Sequence, residues 1–256
     1  APLTEPETLA WFLASYAREA NEQIEDTKLE ELSNLRGEIE KTLGTTFQGT
    51  RGEEFFESTL IQTLFYGLFS SWVLWHRERP GRTDSFDWHH ASDYLQVPML
   101  QGLFDQFSGG YSIEKLGIRH LLERAQYTFN RVDRGAFFEQ FSEDEAVRYF
   151  YEPFLKAFDP ELREELGVWY TPREVVEYQV ETVDRILEDE LGLADGLASE
   201  NVKVLDPCCG TGAYLVEVID KIADRLGRDD SALAASRLYE QIDGNVFGFE
   251  LLTAPF

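Results

Sequence analysis

Apolar residues recur at helical spacing through most of the first 155 positions of this chain, and the period shortens to that of a strand only near its end. Trp11, Phe12, Ala14 and Tyr16 open one amphipathic helix, Leu32, Leu35, Ile39 and Leu43 mark a second, and the run from Phe55 to Trp75 is nearly all apolar. That run predicts the central helix of a bundle. Further helices are expected near residues 94–104, 116–129 and 142–158, the last opened by a capping box of Ser142 and Glu145. Residues 77–90, with Pro80 and Gly81, read as a surface loop in which His89 and His90 are adjacent without a third metal ligand.

The pattern changes after residue 200. Val202, Val204 and Leu205 form a short strand run that ends at Asp206, a turn of small residues follows, and from Ala213 a helix carries Leu215, Val218, Ile219, Ile222 and Leu226 on one side. A second strand, residues 245–249, follows an Asp243-Gly244 turn and ends at Glu250, with a helical piece at about 231–241 between the two strands. Upstream, Thr171, Pro172 and Glu174 read as an N-cap, a first-turn proline and a capping box for a helix with Val176, Val180, Val183 and Leu187 on one face.

Strand, glycine turn and helix define a place for a ligand. In an open α/β sheet ligands lie outside the carboxyl ends of the strands, where Gly210 and Gly212 permit close backbone approach. The dinucleotide fingerprint requires a small residue where Leu215 stands, and a phosphate loop requires Gly-Lys-Ser/Thr, which is absent. The remaining reading is a small ligand with an anionic group near the helix N-terminus and a cationic group near Asp206, as S-adenosylmethionine has. Glu250, at the end of the neighbouring strand, suits a ribose diol.

Asp206-Pro207-Cys208-Cys209-Gly210-Thr211-Gly212-Ala213-Tyr214-Leu215 resembles motif I of the gamma-type adenine-N6 DNA methyltransferases, with Cys208 where the family more often has alanine. Gly248-Phe249-Glu250-Leu251 resembles their motif II, and Gly167-Val168-Trp169-Tyr170-Thr171-Pro172-Arg173-Glu174-Val175-Val176 their motif X, which precedes motif I in this class. The resemblance implies an N-terminal all-helical domain, residues 1–150, followed in residues 151–256 by the first part of a Rossmann-like methyltransferase fold, α/β in class. It implies a cofactor site of Tyr170, Thr171, Pro172, Asp206, Pro207, Cys208, Gly210, Thr211, Gly212, Ala213 and Glu250 for S-adenosyl-L-methionine. It also implies methyl transfer to adenine N6 in a restriction-modification or related defence system, with DNA and a restriction or specificity subunit or domain as partners of the full-length protein. The Asn/Asp-Pro-Pro-Tyr/Phe motif that orients the target amine in that family does not occur. The chain is therefore expected to be a fragment that carries no catalytic residue and is inactive alone.

Composition changes this picture in three places. The 256 residues, 43% of them hydrophobic, can bury a large core, and neither an apolar run of membrane-span length nor a signal peptide occurs, so a cytoplasmic protein without a membrane is expected. Cys208 and Cys209 are the only cysteines, and without a histidine cluster they imply a reducing compartment and no metal. The net charge of −25 opposes DNA binding by these residues alone, which points to a basic surface elsewhere in the protein or to a saline host. The aromatics from Phe55 to Trp75 are expected to be packing, not a base-stacking platform, and no nuclease signature is found. Alternatives are an RNA or protein methyltransferase, which motif order disfavours, a nicotinamide oxidoreductase, which lacks its third small residue, and a non-enzymatic docking module.

Overall fold

The structure is a computed structural model that describes residues 2–25, 33, 36, 37, 40, 41, 46–78, 84–95, 100–102, 104, 105, 111–140, 146, 150–165, 169, 171–227 and 231–250. The chain divides into two compact units, residues 1–168 with 252–256, and residues 169–251.

The described helices of the first unit are α1 (Pro6–Glu25), α2 (Gly49–Glu78), α3 (Tyr111–Leu116), α4 (Arg119–Phe129), α5 (Arg134–Gln140), α6 (Tyr151–Phe158) and α7 (Pro160–Glu165), with a 3-10 turn at Trp88–Asp93. α2 is the core element that the apolar run predicts, and buried polar side chains on it bond within the helix, Gln62 Nε2 donating to Ser58 Oγ at 2.9 Å and Thr63 Oγ1 to the Thr59 carbonyl at 2.7 Å. Phe56, Phe65, Phe69 and Trp72 are fully buried. Trp72 stacks on Phe129 at a ring separation of 5.4 Å, and Phe69 on Phe150 at 3.7 Å. These rings face each other inside the protein and offer no platform to a base. The leading segment is pinned by a parallel bridge in which the Leu3 amide donates to the Arg131 carbonyl at 3.0 Å and the Asp133 amide to the Leu3 carbonyl at 2.8 Å.

Several expectations are corrected here. Residues 77–90 are not one loop: α2 runs to Glu78, and Asp87 accepts from the His89 amide at 3.1 Å to cap a 3-10 turn whose Trp88 is buried. The helix expected over 116–129 is two helices, broken at Gly117, whose φ of 69° no helix accommodates. α6 packs with the first unit, since Tyr151, Phe154, Leu155 and Phe158 join its core and the Tyr151 hydroxyl donates to Gln62 Oε1 on α2 at 2.7 Å. The compact units divide at 168/169. Leu32, Leu35, Ile39, Leu43, Ser142 and Glu145 lie outside the described residues, as does part of the helix expected over 94–104.

The second unit contains α8 (Arg173–Asp189), a 3-10 turn at Gly196–Ala198, β1 (Val204–Asp206), α9 (Ala213–Leu226), α10 (Ser231–Asn245) and β2 (Val246–Gly248). β1 and β2 pair in parallel with Val204 opposite Val246 and Asp206 opposite Gly248, so α9 and α10 form the crossover. Val176 and Val180 of α8 and Val218 and Ile222 of α9 are buried in one core, and Val204 and Val246 pack against it. Leu205 and Phe247, on the alternate side, are partners in register and exposed. The helices thus cover one face of a two-stranded sheet. Among the described residues this pair is the only sheet of named strands, which is less than a Rossmann-like fold requires. Asp243 and Gly244 form the last turn of α10 instead of a separate turn, because that helix runs directly into β2.

Candidate functional site

The glycine loop between β1 and α9 is held in shape by its own backbone. Asp206 Oδ1 accepts from the Cys208 amide at 3.1 Å, which turns the chain immediately after the strand. The Gly212 amide donates to the Cys209 carbonyl at 2.8 Å, and Gly212, at φ 82°, is the N-cap of α9. A Cβ at that φ crowds its own backbone at a cost of about 1–2 kcal/mol, so glycine is favoured there. The first helical bond follows at once, from the Val216 amide to the Gly212 carbonyl at 2.9 Å. The amides of the first turn, starting at Ala213, accordingly have no acceptor within the helix.

β2 locks onto this loop. The Phe249 amide donates to the Asp206 carbonyl and the Cys209 amide to the Phe249 carbonyl, both at 2.9 Å, extending the parallel ladder beyond the strands. Glu250 then turns inward, and its Oε2 accepts from the Gly210 amide at 2.7 Å. Gly248 makes this approach feasible: a Cβ there would lie 2.6 Å from Leu215 Cδ1 and 3.0 Å from Cys209 Sγ. Two strand-end carboxylates, Asp206 and Glu250, therefore flank one loop. Burial pushes the Cys209 thiol above its ordinary pKa, and the charges of Glu250 and Asp206 add to that shift.

An apolar hollow of about 450 Å³ adjoins the loop, between α8 and β1, and reaches Asp206, Pro207 and Tyr214. The Tyr214 hydroxyl donates to Gln179 Oε1, tying the first turn of α9 to α8. Below, Asp184 of α8 is buried, accepts from the Leu197 amide at 2.8 Å and pairs with Arg225 at 2.6 Å. Arg225 also reaches Glu188.

Of the residues expected in the site, the structure brings Asp206, Pro207, Cys208, Gly210, Thr211, Gly212 and Ala213 together as one loop, with Glu250 against it. Thr171 and Pro172 lie at the start of α8. There Pro172 itself, at φ −54° and ψ 140°, is the N-cap, with no side-chain capping bond, so the Thr171 and Glu174 capping box does not form. The proline ring fixes φ near about −65°, and with an extended ψ Pro172 takes the N-cap position expected of Thr171. Among the described residues no hydrogen bond joins Thr171 or Pro172 to the loop. Tyr170 lies outside the described residues. Cys209 and Gly248 lie within motifs I and II but are not among the site residues expected from the sequence, and the Gln179–Tyr214 link was not foreseen. Gly248 left a signal for a close approach, as a glycine within a strand.

Residues 142–250 match the family model described as N-6 DNA Methylase. That stretch of the chain is similar to this family, the class that the three motifs imply. Among solved structures, the chain resembles the DrdV–DNA complex seen by cryo-electron microscopy, with 22% identity and a TM-score of 0.62, over 98% of this chain and 22% of that one. It also resembles LlaBIII, an ATP-dependent Type ISP restriction-modification enzyme bound to DNA, at 19% identity and a TM-score of 0.61, over 100% of this chain and 16% of that one. A nuclease-deletion mutant of the Type ISP enzyme LlaGI, in complex with a DNA substrate mimic, matches at 18% identity and a TM-score of 0.61, over 100% of this chain and 19% of that one. These likenesses concern the fold, and the chain spans about a fifth of the length of the proteins it resembles. No curated protein matches the chain.

Proposed function

We propose that the chain is the helical domain and cofactor-binding part of an S-adenosylmethionine-dependent DNA methyltransferase that modifies adenine N6 within a restriction-modification system. The observation that carries this reading is the seating of Glu250 against Gly210, which sets two carboxylates on either side of one glycine loop at the carboxyl ends of adjacent parallel strands. The α-carboxylate of the ligand would meet the amides around Gly212 and Ala213, its cationic groups would face Asp206, and its ribose diol Glu250. Tyr170, Thr171 and Pro172 would border the methionine end, with Pro207, Cys208, Gly210 and Thr211 as the floor of the loop. β1 and β2, with α8 to α10 on one side, would be the beginning of a Rossmann-like sheet. The Gly210 amide holds one oxygen of Glu250 and so fixes the orientation of the carboxylate before any ligand arrives.

DNA, and a restriction or specificity subunit or domain, would be partners of the whole protein, which would act in the cytoplasm. Among the described residues no helix is long and apolar enough to cross a membrane. The test is calorimetric titration of the chain with S-adenosylmethionine. Saturable binding is expected, weakened roughly tenfold or more by Asp206→Ala and by Glu250→Ala, the scale of a lost charge-assisted hydrogen bond. A folded chain that takes up no ligand, or one whose affinity neither substitution changes, overturns the assignment.

A further inference from the structure

Two adjacent thiols lie in the middle of the candidate cofactor loop, with Cys208 exposed and Cys209 half-buried, and they are the only cysteines of the chain. Every amide around their shared peptide bond is engaged. The Cys208 amide donates to Asp206 Oδ1 at 3.1 Å, the Cys209 amide to the Phe249 carbonyl at 2.9 Å, and the Gly210 amide to Glu250 Oε2 at 2.7 Å. The Cys209 sulfur is seated under β2, within 3.0 Å of where a Cβ on Gly248 would stand. This loop shape requires the two side chains to serve different surroundings, one open and one packed.

A disulfide between neighbours is incompatible with that shape. Cα atoms across a trans peptide are about 3.8 Å apart, whereas disulfides usually span roughly 4.4–6.8 Å, so the ring closes only if the Cys208–Cys209 peptide twists. Twisting it turns the Cys209 amide away from Phe249 and draws the sulfur out from under Gly248. The contacts that seat β2 and Glu250 on the loop are lost with it.

We propose that Cys208 and Cys209 form a reversible thiol–disulfide site that closes the cofactor loop when oxidised. The oxidant is a small-molecule disulfide. The exposed Cys208 thiolate attacks one of its sulfurs, forming a mixed disulfide and releasing one thiolate. The Cys209 thiolate then displaces the second, so the protein loses two electrons and two protons, which appear as two small-molecule thiols. Burial and the neighbouring carboxylates keep Cys209 protonated, so the second step speeds up as pH rises. Coupling is reciprocal: a ligand that holds the loop in its reduced shape protects the thiols, and the ring excludes the ligand.

The functional half of this proposal rests on the S-adenosylmethionine reading, while ring formation and loop opening do not. The experiment treats the chain with oxidised glutathione at mildly alkaline pH and follows intact mass, amide exchange and calorimetric titration with S-adenosylmethionine. Loss of two hydrogens, faster exchange at the amides of Cys209, Gly210 and Gly212, and at least a tenfold drop in affinity are expected, all reversed by dithiothreitol. In Cys208→Ser the ratio of affinities with and without oxidant should be one, whatever the variant's own affinity. If that variant does not fold, dithiothreitol reversal on the unmodified chain decides in its place. A persistent glutathione adduct without ring closure, or a ring that leaves exchange unchanged, overturns the proposal. Should the reduced chain not bind S-adenosylmethionine, the proposed function fails, and amide exchange alone decides the thiol site.

Discussion

Glu217 sits half-buried on α9, and burial, followed by repulsion from Glu177 and Asp220, holds its carboxyl above the usual range. The folded state therefore binds this proton more tightly than the unfolded chain does. The associated stability is fully present below the unfolded pKa and is lost as pH rises through the raised value. At neutral pH the charged side chain opposes folding. Glu217→Gln is expected to raise stability by up to about 0.5 kcal/mol at pH near 7 and by nothing below about pH 4. Urea unfolding at the two pH values checks this, and an equal gain at both would point to packing instead of charge. At this scale the loop residues from Asp206 to Gly212 were legible because glycine and a strand-end acid have few other uses together. Pairwise seats such as Cys209 beneath Gly248 were not legible, since they join residues 39 positions apart.

At the scale of elements, one buried ion pair ties α8, the 3-10 turn at Gly196–Ala198 and α9 together. Asp184 is 3% exposed and holds both the Leu197 amide and the Arg225 guanidinium. Burial works to lower the Arg225 pKa, but the hydrogen bonds to Asp184 and Glu188 outweigh it and hold the group above its ordinary value. Asp184→Ala leaves a half-buried arginine and an orphaned amide, and should cost about 3 kcal/mol, read as a lower urea midpoint at unchanged slope. A loss within about 0.5 kcal/mol would show the pair to be dispensable. Apolar periodicity located α2, α8 and α9, because each buries apolar side chains, although α2 runs from Gly49 to Glu78, beyond the apolar stretch of Phe55 to Trp75 at both ends. Helix ends were less legible: Thr171 with Glu174 formed a plausible cap in sequence, but Pro172 took that role, since the cap depends on how the preceding chain arrives.

For the whole molecule, charge decides what the chain can touch. With 23 basic and 48 acidic residues, it should bind duplex DNA more weakly than about 10⁻⁴ M at physiological salt. Fluorescence anisotropy with labelled duplex checks this, and micromolar binding would require a basic face that the pairing of Arg119, Arg124 and Arg173 with glutamates does not provide. Sequence alone determined the helical character of the first unit, the strand–loop–helix order of the second and the likeness of residues 142–250 to the N-6 DNA methylases, because periodicity and short motifs are local properties. Tertiary structure alone decided that α6 packs with the helical unit, that Asp184 is buried with Arg225, and that Glu250 closes onto Gly210. Each depends on residues far apart in the chain meeting at a distance that no local pattern encodes.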